Sequence, residues 1–187
     1  MDIRVYLTSG DVLAYCQNDP AVEAGLLADL NVGRLFAGKT IIIGGQHSCS
    51  LLQSDNISRI DLLTKQAISL PDAPAERSLI EDEQAFDALA RSAAEASSAG
   101  AQLGSTYKGY GKFLLTGGHK LCIQLERKLQ NRVDFFAELH RISEMPFFAM
   151  QHPKGGAVAI NVKNIAAMSY FPGLAEYPKG SLIADQI

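Results

Sequence analysis

The chain contains two short β-rich runs, each broken by a glycine turn. The first run covers residues 4–15 and turns at Ser9-Gly10, and the second covers residues 112–123 and turns at Gly117-Gly118. Glycine suits such a turn because it adopts positive φ without a Cβ clash, so both runs predict β-hairpins. When Gly10 is superposed on Gly118, three more pairs align: Leu7 with Leu115, Thr8 with Thr116 and Leu13 with Leu121.

A helix is predicted after each hairpin. In the first copy Asp19 is a natural N-cap and Pro20 suits the first helical turn, so a helix is expected over residues 20–36. In the second copy Asn131 is the candidate cap of a helix over residues 132–143. The apolar positions at helical spacing in the first helix are Val22, Leu26 and Leu30.

Two β-rich segments follow each predicted helix. They cover residues 40–43 and 50–60 in the first copy, and residues 146–150 and 157–168 in the second. A Gln-His pair and an Asn-Ile pair recur in the same order in both copies. The pattern therefore predicts one structural unit present twice, at about residues 3–64 and 111–172.

The two copies are separated by a segment of different composition. Ala, Ser and acidic residues dominate it, and apolar residues at helical spacing predict a helix over residues 75–98. We therefore divide the chain into a first repeat (1–66), a helical connector (67–110) and a second repeat with a C-terminal tail (111–187). The predicted fold class is α+β, with two tandem small β-barrel-like units, each ordered strand-strand-helix-strand-strand.

Two segments of each copy resemble sequence motifs of a known family. The segments 5–13 and 52–60, and their counterparts 114–118 and 160–165, are similar to the two motifs of the Sm/LSm (Hfq-like) small-barrel proteins. The resemblance implies an Sm-like or SH3-like barrel topology for each unit. The Arg-Gly of the family's second motif is replaced here by Gln53-Ser54 and Asn161-Val162, and predicted helices replace the family's RNA-contacting loop. The resemblance therefore implies topology more than it implies RNA contacts.

Composition narrows the class of protein. Hydrophobic residues make up 47% of the chain and charged residues 20%, which is typical of a globular protein. The sequence contains no apolar run long enough for a membrane span, and its first residues do not read as a secretory signal. The three cysteines form no Cys-x-x-Cys pair, so we expect reduced thiols, a cytoplasmic location and no membrane partner.

The net charge of −3 conceals a basic C-terminal third. Residues 111–187 hold nine basic and six acidic side chains, whereas residues 1–64 hold four and seven. A dedicated nucleic-acid binder usually has a strong basic excess, which this chain lacks. The candidate nucleic-acid contacts are Lys120, Arg127, Lys128, Arg132 and Lys163. The alternative is a solvated face neutralised by neighbouring acidic residues.

His47 and His152 are the candidate ligand-binding residues. Their recurrence suggests catalysis, and His47 with Cys49 and Cys16 has donor types that suit zinc. The sequence offers no obvious fourth zinc ligand, and although Ser50, Cys49 and Asp55 are near His47 in sequence, that proximity is poor evidence for a catalytic triad. The simpler interpretation is that each histidine closes a turn through a backbone hydrogen bond. We therefore expect no metal and no cofactor.

The leading functional prediction is a non-enzymatic binding or scaffold protein that acts through protein contacts, either with a partner or by self-association. The first alternative is an RNA-binding regulator that uses the basic second repeat. The second is a small-molecule or metal-dependent enzyme at His47 and His152.

Overall fold

The structure is a computed structural model that describes residues 1–45, 48–70, 76–97, 106–128 and 141–172. Two helices have described bounds, α1 (Pro20–Asp29) and α2 (Glu83–Ser97), and residues 141–144 are also helical. The strands are β1 (Asp2–Leu7), β2 (Val12–Cys16), β3 (Thr40–Gly44), β4 (Cys49–Gln53), β5 (Ile57–Leu63), β6 (Glu76–Ile80), β7 (Thr106–Leu115), β8 (Lys120–Lys128), β9 (Phe147–Gln151), β10 (Ala157–Asn161) and β11 (Ile165–Phe171). Neither described helix is long and apolar enough to cross a membrane.

The two glycine turns form the predicted hairpins. β1 pairs with β2 and β7 with β8, both antiparallel. Gly10, Gly117 and Gly118 have φ values of +96°, +99° and +85°, which side chains with a Cβ rarely adopt. The prediction of a glycine-dependent turn in each copy is therefore confirmed.

The predicted fold class is wrong, because the strands do not form two separate small barrels. Nine of the described strands belong to one mixed sheet in the order β11-β7-β8-β6-β9-β10-β5-β1-β2. The remaining two, β3 and β4, form a separate hairpin. The sheet passes from the second copy into the first where β10 pairs with β5, so the copies share one sheet rather than closing on themselves.

The segment between the copies is not a purely helical connector. Its first part forms β6, which pairs antiparallel with β8 and makes one parallel bridge to β9, and only Glu83–Ser97 is helical. β6 alternates outward and inward, and Leu79 enters the core while Ser78 stays exposed. The helix over residues 75–98 was predicted too long at its start, because a five-residue strand leaves only a weak period-two pattern.

α1 begins as predicted but packs differently. Asp19 Oδ1 accepts hydrogen bonds from the Ala21 and Val22 amides at 2.8 and 3.4 Å, and Pro20 is the first helical residue. The helix ends at Asp29 rather than at residue 36, and a 3-10 turn follows at Val32–Arg34. Val22 and Leu26, two of the apolar residues at helical spacing, are 46% and 48% exposed. Most of the second copy's predicted helix, residues 132–143, lies outside the described residues.

The backbone repeats itself with a displacement of 108 residues. Thr8 N donates to Asn56 O at 2.9 Å, and Thr116 N donates to Asn164 O at 2.8 Å. The displacement also holds in the strand register, because Val5 pairs with Ile60 and Phe113 with Met168. Each copy has a 3-10 turn before its last strand, Ser54–Asn56 and Val162–Asn164. The repeat read from the sequence is thus also a repeat of hydrogen bonds.

The hydrophobic core has two main parts that meet at β9 and β10. The larger side chains of β10, Val158 and Ile160, pack in the core of the second copy, while Ala157 and Ala159 pack in the core of the first. All five residues of β10 are therefore buried. A third cluster joins Phe86 and Ala90 of α2 to the outer face of β7 and β8.

Candidate functional site

The described basic residues do not form one free patch. Lys120 Nζ lies 2.8 Å from Glu83 Oε1, and Lys163 forms an ion pair with Asp55. Arg127 and Lys128 lie at the far end of β8 from Lys120, about 25 Å away at strand spacing. Their side chains, and the whole of Arg132, lie outside the described residues. The two lysines whose contacts are described are thus partly neutralised.

The ion pairs of Glu83 with Lys112 and Lys120 make its carboxyl group more acidic. Hydrogen bonds from Lys112 and Lys120 lower the pKa of Glu83 to about 2. Glu83 therefore stays ionised at neutral pH and ties the start of α2 to β7 and β8. Lys120 serves as much to hold the helix as to present charge to a ligand.

His152 closes the turn between β9 and β10. Its amide donates to Gly156 O at 3.1 Å, and its Nδ1 accepts from the Lys154 amide at 3.1 Å. Because burial lowers the pKa of His152, the imidazole is neutral at pH 7, as an accepting Nδ1 requires. These contacts are those of a turn residue rather than of a catalytic base.

The second candidate histidine, His47, lies outside the described residues, but the strand register around it is informative. Gly44 pairs with Cys49 and Gln151 with Ala157, so the residue after β3 that corresponds to His152 is Gly45. The register thus assigns Gly45, rather than His47, as the counterpart of His152. Within the described part of the chain, no three His, Cys, Asp or Glu side chains lie close enough together to hold a metal ion.

A buried ion pair lies on β5, facing β1. Arg59 Nε and Nη2 donate to the two oxygens of Asp61 at 2.6 and 2.8 Å, and Tyr6 Oη donates to Asp61 Oδ2 at 3.0 Å. The Arg59 guanidinium also stacks 4.7 Å from the centroid of the Tyr6 ring. Burial, followed by the Asp61 charge, raises the pKa of Tyr6, so it stays a hydrogen-bond donor. This cluster was not predicted from the sequence. Its three side chains bond to one another.

The internal junction, which we define as the pairing of β10 with β5, joins the two copies. It contains four antiparallel pairs: Ala157 with Leu62, Val158 with Asp61, Ala159 with Ile60 and Ile160 with Arg59. Two side-chain amides reinforce it, since Asn161 Nδ2 and Asn164 Nδ2 each donate to Ile57 O, at 3.1 and 2.8 Å. Both strands of the junction are buried along almost their whole length.

In the repeat, β4 of the first copy corresponds to β10, and β11 of the second copy corresponds to β5. In the described structure, β4 and β11 each have an open edge. Among the described strands, β4 pairs only with β3, and β11 only with β7. Leu51 on β4 is 65% exposed and Met168 on β11 is 40% exposed, whereas their counterparts Ala159 and Ile60 are 1% and 2% exposed. These apolar edge positions were also missed.

The edge strands also lack the features that usually protect a free edge. Natural proteins place charged residues or proline on exposed edges to prevent pairing with another chain. β4 reads Cys-Ser-Leu-Leu-Gln and β11 reads Ile-Ala-Ala-Met-Ser-Tyr-Phe, without a charge or a proline in either. That absence is the sequence signal by which they are recognisable.

The core of the first copy is less complete than that of the second. Leu121, Ile123, Phe148 and Met150 are fully or almost fully buried, while their counterparts Leu13, Tyr15, Ile41 and Ile43 are only partly buried. In the second copy β6 lies between β8 and β9 and inserts Leu79 into this core. Among the described residues, no strand takes the corresponding place between β2 and β3. The candidate functional site is therefore the open side of the first copy, β2, β3 and β4, together with β11.

Comparison of the chain with protein-family models, with curated proteins and with solved structures finds no match.

Proposed function

We propose that this protein is a non-enzymatic binding or scaffold protein that joins other protein strands to its open sheet edges. One observation carries the proposal: Leu51 and Met168 are exposed at strand edges whose counterparts in the same molecule are paired and buried. An added strand supplies main-chain hydrogen bonds along the edge and covers the apolar side chains. The molecule already uses this mode of binding between its own two copies.

The buried polar groups support a structural rather than a catalytic role. Asp61 is committed to Arg59 and Tyr6, and His152 accepts a backbone hydrogen bond inside its turn. A general base needs a free lone pair that faces a substrate. The hydrogen bonds of Asp61 and His152 are made within the protein, which favours binding over chemistry.

The RNA-binding alternative remains a proposal based on the basic residues of the second copy. The ion pairs of Lys120 with Glu83 and of Lys163 with Asp55 reduce the charge that these residues offer to a phosphate backbone. If RNA binding is the function, affinity falls steeply with salt and falls further in a Lys120→Gln/Lys163→Gln variant. RNA retention that is unaffected by both changes would exclude this set of contacts.

The proposed function predicts that a charge on the open edge weakens partner binding. Leu51→Lys removes an apolar side chain and adds the residue type that natural edges use against pairing. Losing the burial of one leucine, about 1.5–3 kcal/mol, corresponds to at least about tenfold weaker binding. The measurement is quantitative mass spectrometry of proteins retained from cells of the source organism by wild-type and variant baits.

The matched control for this experiment is Leu89→Lys on α2. Leu89 is 41% exposed, similar to Met168, and it lies on α2, a helix that packs on β7 and β8 and is not part of the β4 edge. We expect Leu89→Lys to retain the same proteins as the wild type. Equal retention by the Leu51→Lys bait would show that the edge is not the binding surface.

A further inference from the structure

We propose that the strand partner is a second copy of this chain, bound head to tail, with β11 of one molecule against β4 of the next. This inference rests on the proposed function and names its partner. The internal junction pairs the strand before the second copy's 3-10 turn with the strand after the first copy's 3-10 turn. Of the two open strands, β4 precedes the 3-10 turn of the first copy, and β11 follows the 3-10 turn of the second copy.

The register of the new junction follows from the displacement of 108 residues. Applied to the four pairs of the internal junction, it places Leu51 opposite Met168 and Ser50 opposite Ser169. The other two pairs are Cys49 with Tyr170 and Leu52 with Ala167. The two most exposed apolar residues of these strands thus cover each other on one face, and no charge is buried.

The side-chain amides that reinforce the internal junction are conserved in type in the first copy. Asn161 and Asn164 donate to backbone carbonyls beside the Ser54–Asn56 turn. The residues that correspond to them are Gln53 and Asn56, and both are exposed. In the head-to-tail junction these two side chains face the carbonyls around Val162–Asn164 of the next molecule.

The C-terminal tail provides an independent observation. Residues 181–185 read Ser-Leu-Ile-Ala-Asp, and residues 78–82, which contain the end of β6, read Ser-Leu-Ile-Glu-Asp. Each copy is thus followed by the same short motif. After the first copy, this motif enters the second copy between β8 and β9. Among the described residues, no strand takes the corresponding place between β2 and β3, and Leu182 aligns in sequence with Leu79.

The proposed junction is heterologous, because each molecule uses a different edge on each side. Such a junction leaves one β4 and one β11 free at the ends of any open assembly. Repetition of the junction therefore continues until a ring closes or a filament grows.

Disulfide trapping with two single-cysteine variants tests both the partner and the register. Ser50→Cys and Ser169→Cys are made as separate proteins, each with the exposed Cys16 and Cys49 replaced by serine. Cys122 stays in place because burial raises the pKa of its thiol to about 11, which leaves it unreactive. Directly opposed residues of antiparallel strands have Cα atoms about 4.5–5.5 Å apart, within disulfide range.

The expected result is a covalent dimer only when the two variants are mixed under mild oxidation. A Ser50→Cys protein mixed with an Ala166→Cys protein is the register control, since Ala166 is exposed but about 10 Å further along β11. Circular dichroism confirms that each variant is folded. A dimer formed by either variant alone would indicate edge pairing between like strands and would overturn the proposal, as would the absence of any dimer in the mixture.

The tail is tested in the same mixture with chains that end at Gly180 or carry Leu182→Asp. We expect both changes to reduce the yield of covalent dimer severalfold, because they remove or alter the repeated Ser-Leu-Ile motif. An unchanged yield would overturn the assignment of the tail.

If no dimer forms while Leu51→Lys still weakens capture of other proteins, self-association is wrong and the proposed function stands. If Leu51→Lys also has no effect, both fail.

Discussion

The two copies of the unit differ most in how completely their cores are covered. In the second copy Leu121 and Ile123 are fully buried, and β6 and β10 complete the contacts around them. In the first copy the corresponding Leu13 and Tyr15 remain partly exposed beside an open edge. The second copy is complete because it receives β5 and β6 from the preceding part of the chain. Among the described residues, no strand takes the place between β2 and β3 that β6 takes between β8 and β9, and β4 lacks the second neighbour that its counterpart β10 has in β5.

We expect the largest loss in the free energy of unfolding when Asp61, the buried carboxylate of the internal junction, is replaced. Asp61→Ala leaves Arg59 buried without its partner, and removing one member of a buried ion pair costs about 3–5 kcal/mol. The matched change is Ser169→Ala, because Ser169 occupies the corresponding position on the open β11. We expect Ser169→Ala to change the free energy of unfolding of the monomer by less than about 0.5 kcal/mol. Urea denaturation measures both, and equal losses would mean that the two junction positions do not differ.

A second pair of substitutions compares apolar residues at equivalent positions. Ile60→Ala removes a buried side chain of the first copy's core and is expected to cost about 2–5 kcal/mol. Met168→Ala removes its exposed counterpart, so its effect on a dilute sample is within about 0.5 kcal/mol. If Met168 is covered in an assembly, the cost of its loss grows with protein concentration. Thermal unfolding at several concentrations checks this, and a concentration-independent effect of Met168→Ala would argue against coverage.

The smallest effect concerns the turns. His152 has no titratable counterpart, because Gly45 occupies its position in the first copy. Burial lowers the pKa of His152, so its neutral form stabilises the fold above the unfolded value near 6.5, and this contribution is lost as pH falls through the lower folded value. We expect His152→Asn to keep the Lys154 amide bonded and to weaken the fall in melting temperature between about pH 7.5 and 5.5. Glu81 does not interfere, since Lys154 lowers its pKa further below this window. Identical falls in both proteins would contradict the assignment.

Local features of the fold were predictable from the sequence because they depend on neighbouring residues. The turns at Gly10 and Gly118 need positive φ, and the cap at Asp19 needs a short acceptor before Pro20, so residue type alone indicated them. Which strands pair within one copy and which pair between the copies was not predictable in this way. Whether β10 closes its own unit or pairs with β5 depends on contacts more than ninety residues apart, and the alternation of β10 fits both.

The candidate site was missed for a related reason. His47 and His152 were predicted as candidate site residues because histidine has distinctive chemistry, whereas Leu51 and Met168 resemble ordinary core residues in the sequence. Only the fold shows that their strands lie at an edge while the counterpart strands lie inside. The clue in the sequence was the lack of charge in residues 49–53 and 165–171, and a lack is harder to notice than a motif.

The molar mass of the full chain in solution, measured by light scattering over a range of concentrations, tests the account most directly. The head-to-tail junction predicts that the wild type reaches a multiple of the 20.1 kDa chain mass, while Leu51→Lys stays at the mass of one chain. A wild type that remains at the mass of one chain at every concentration would contradict the head-to-tail junction.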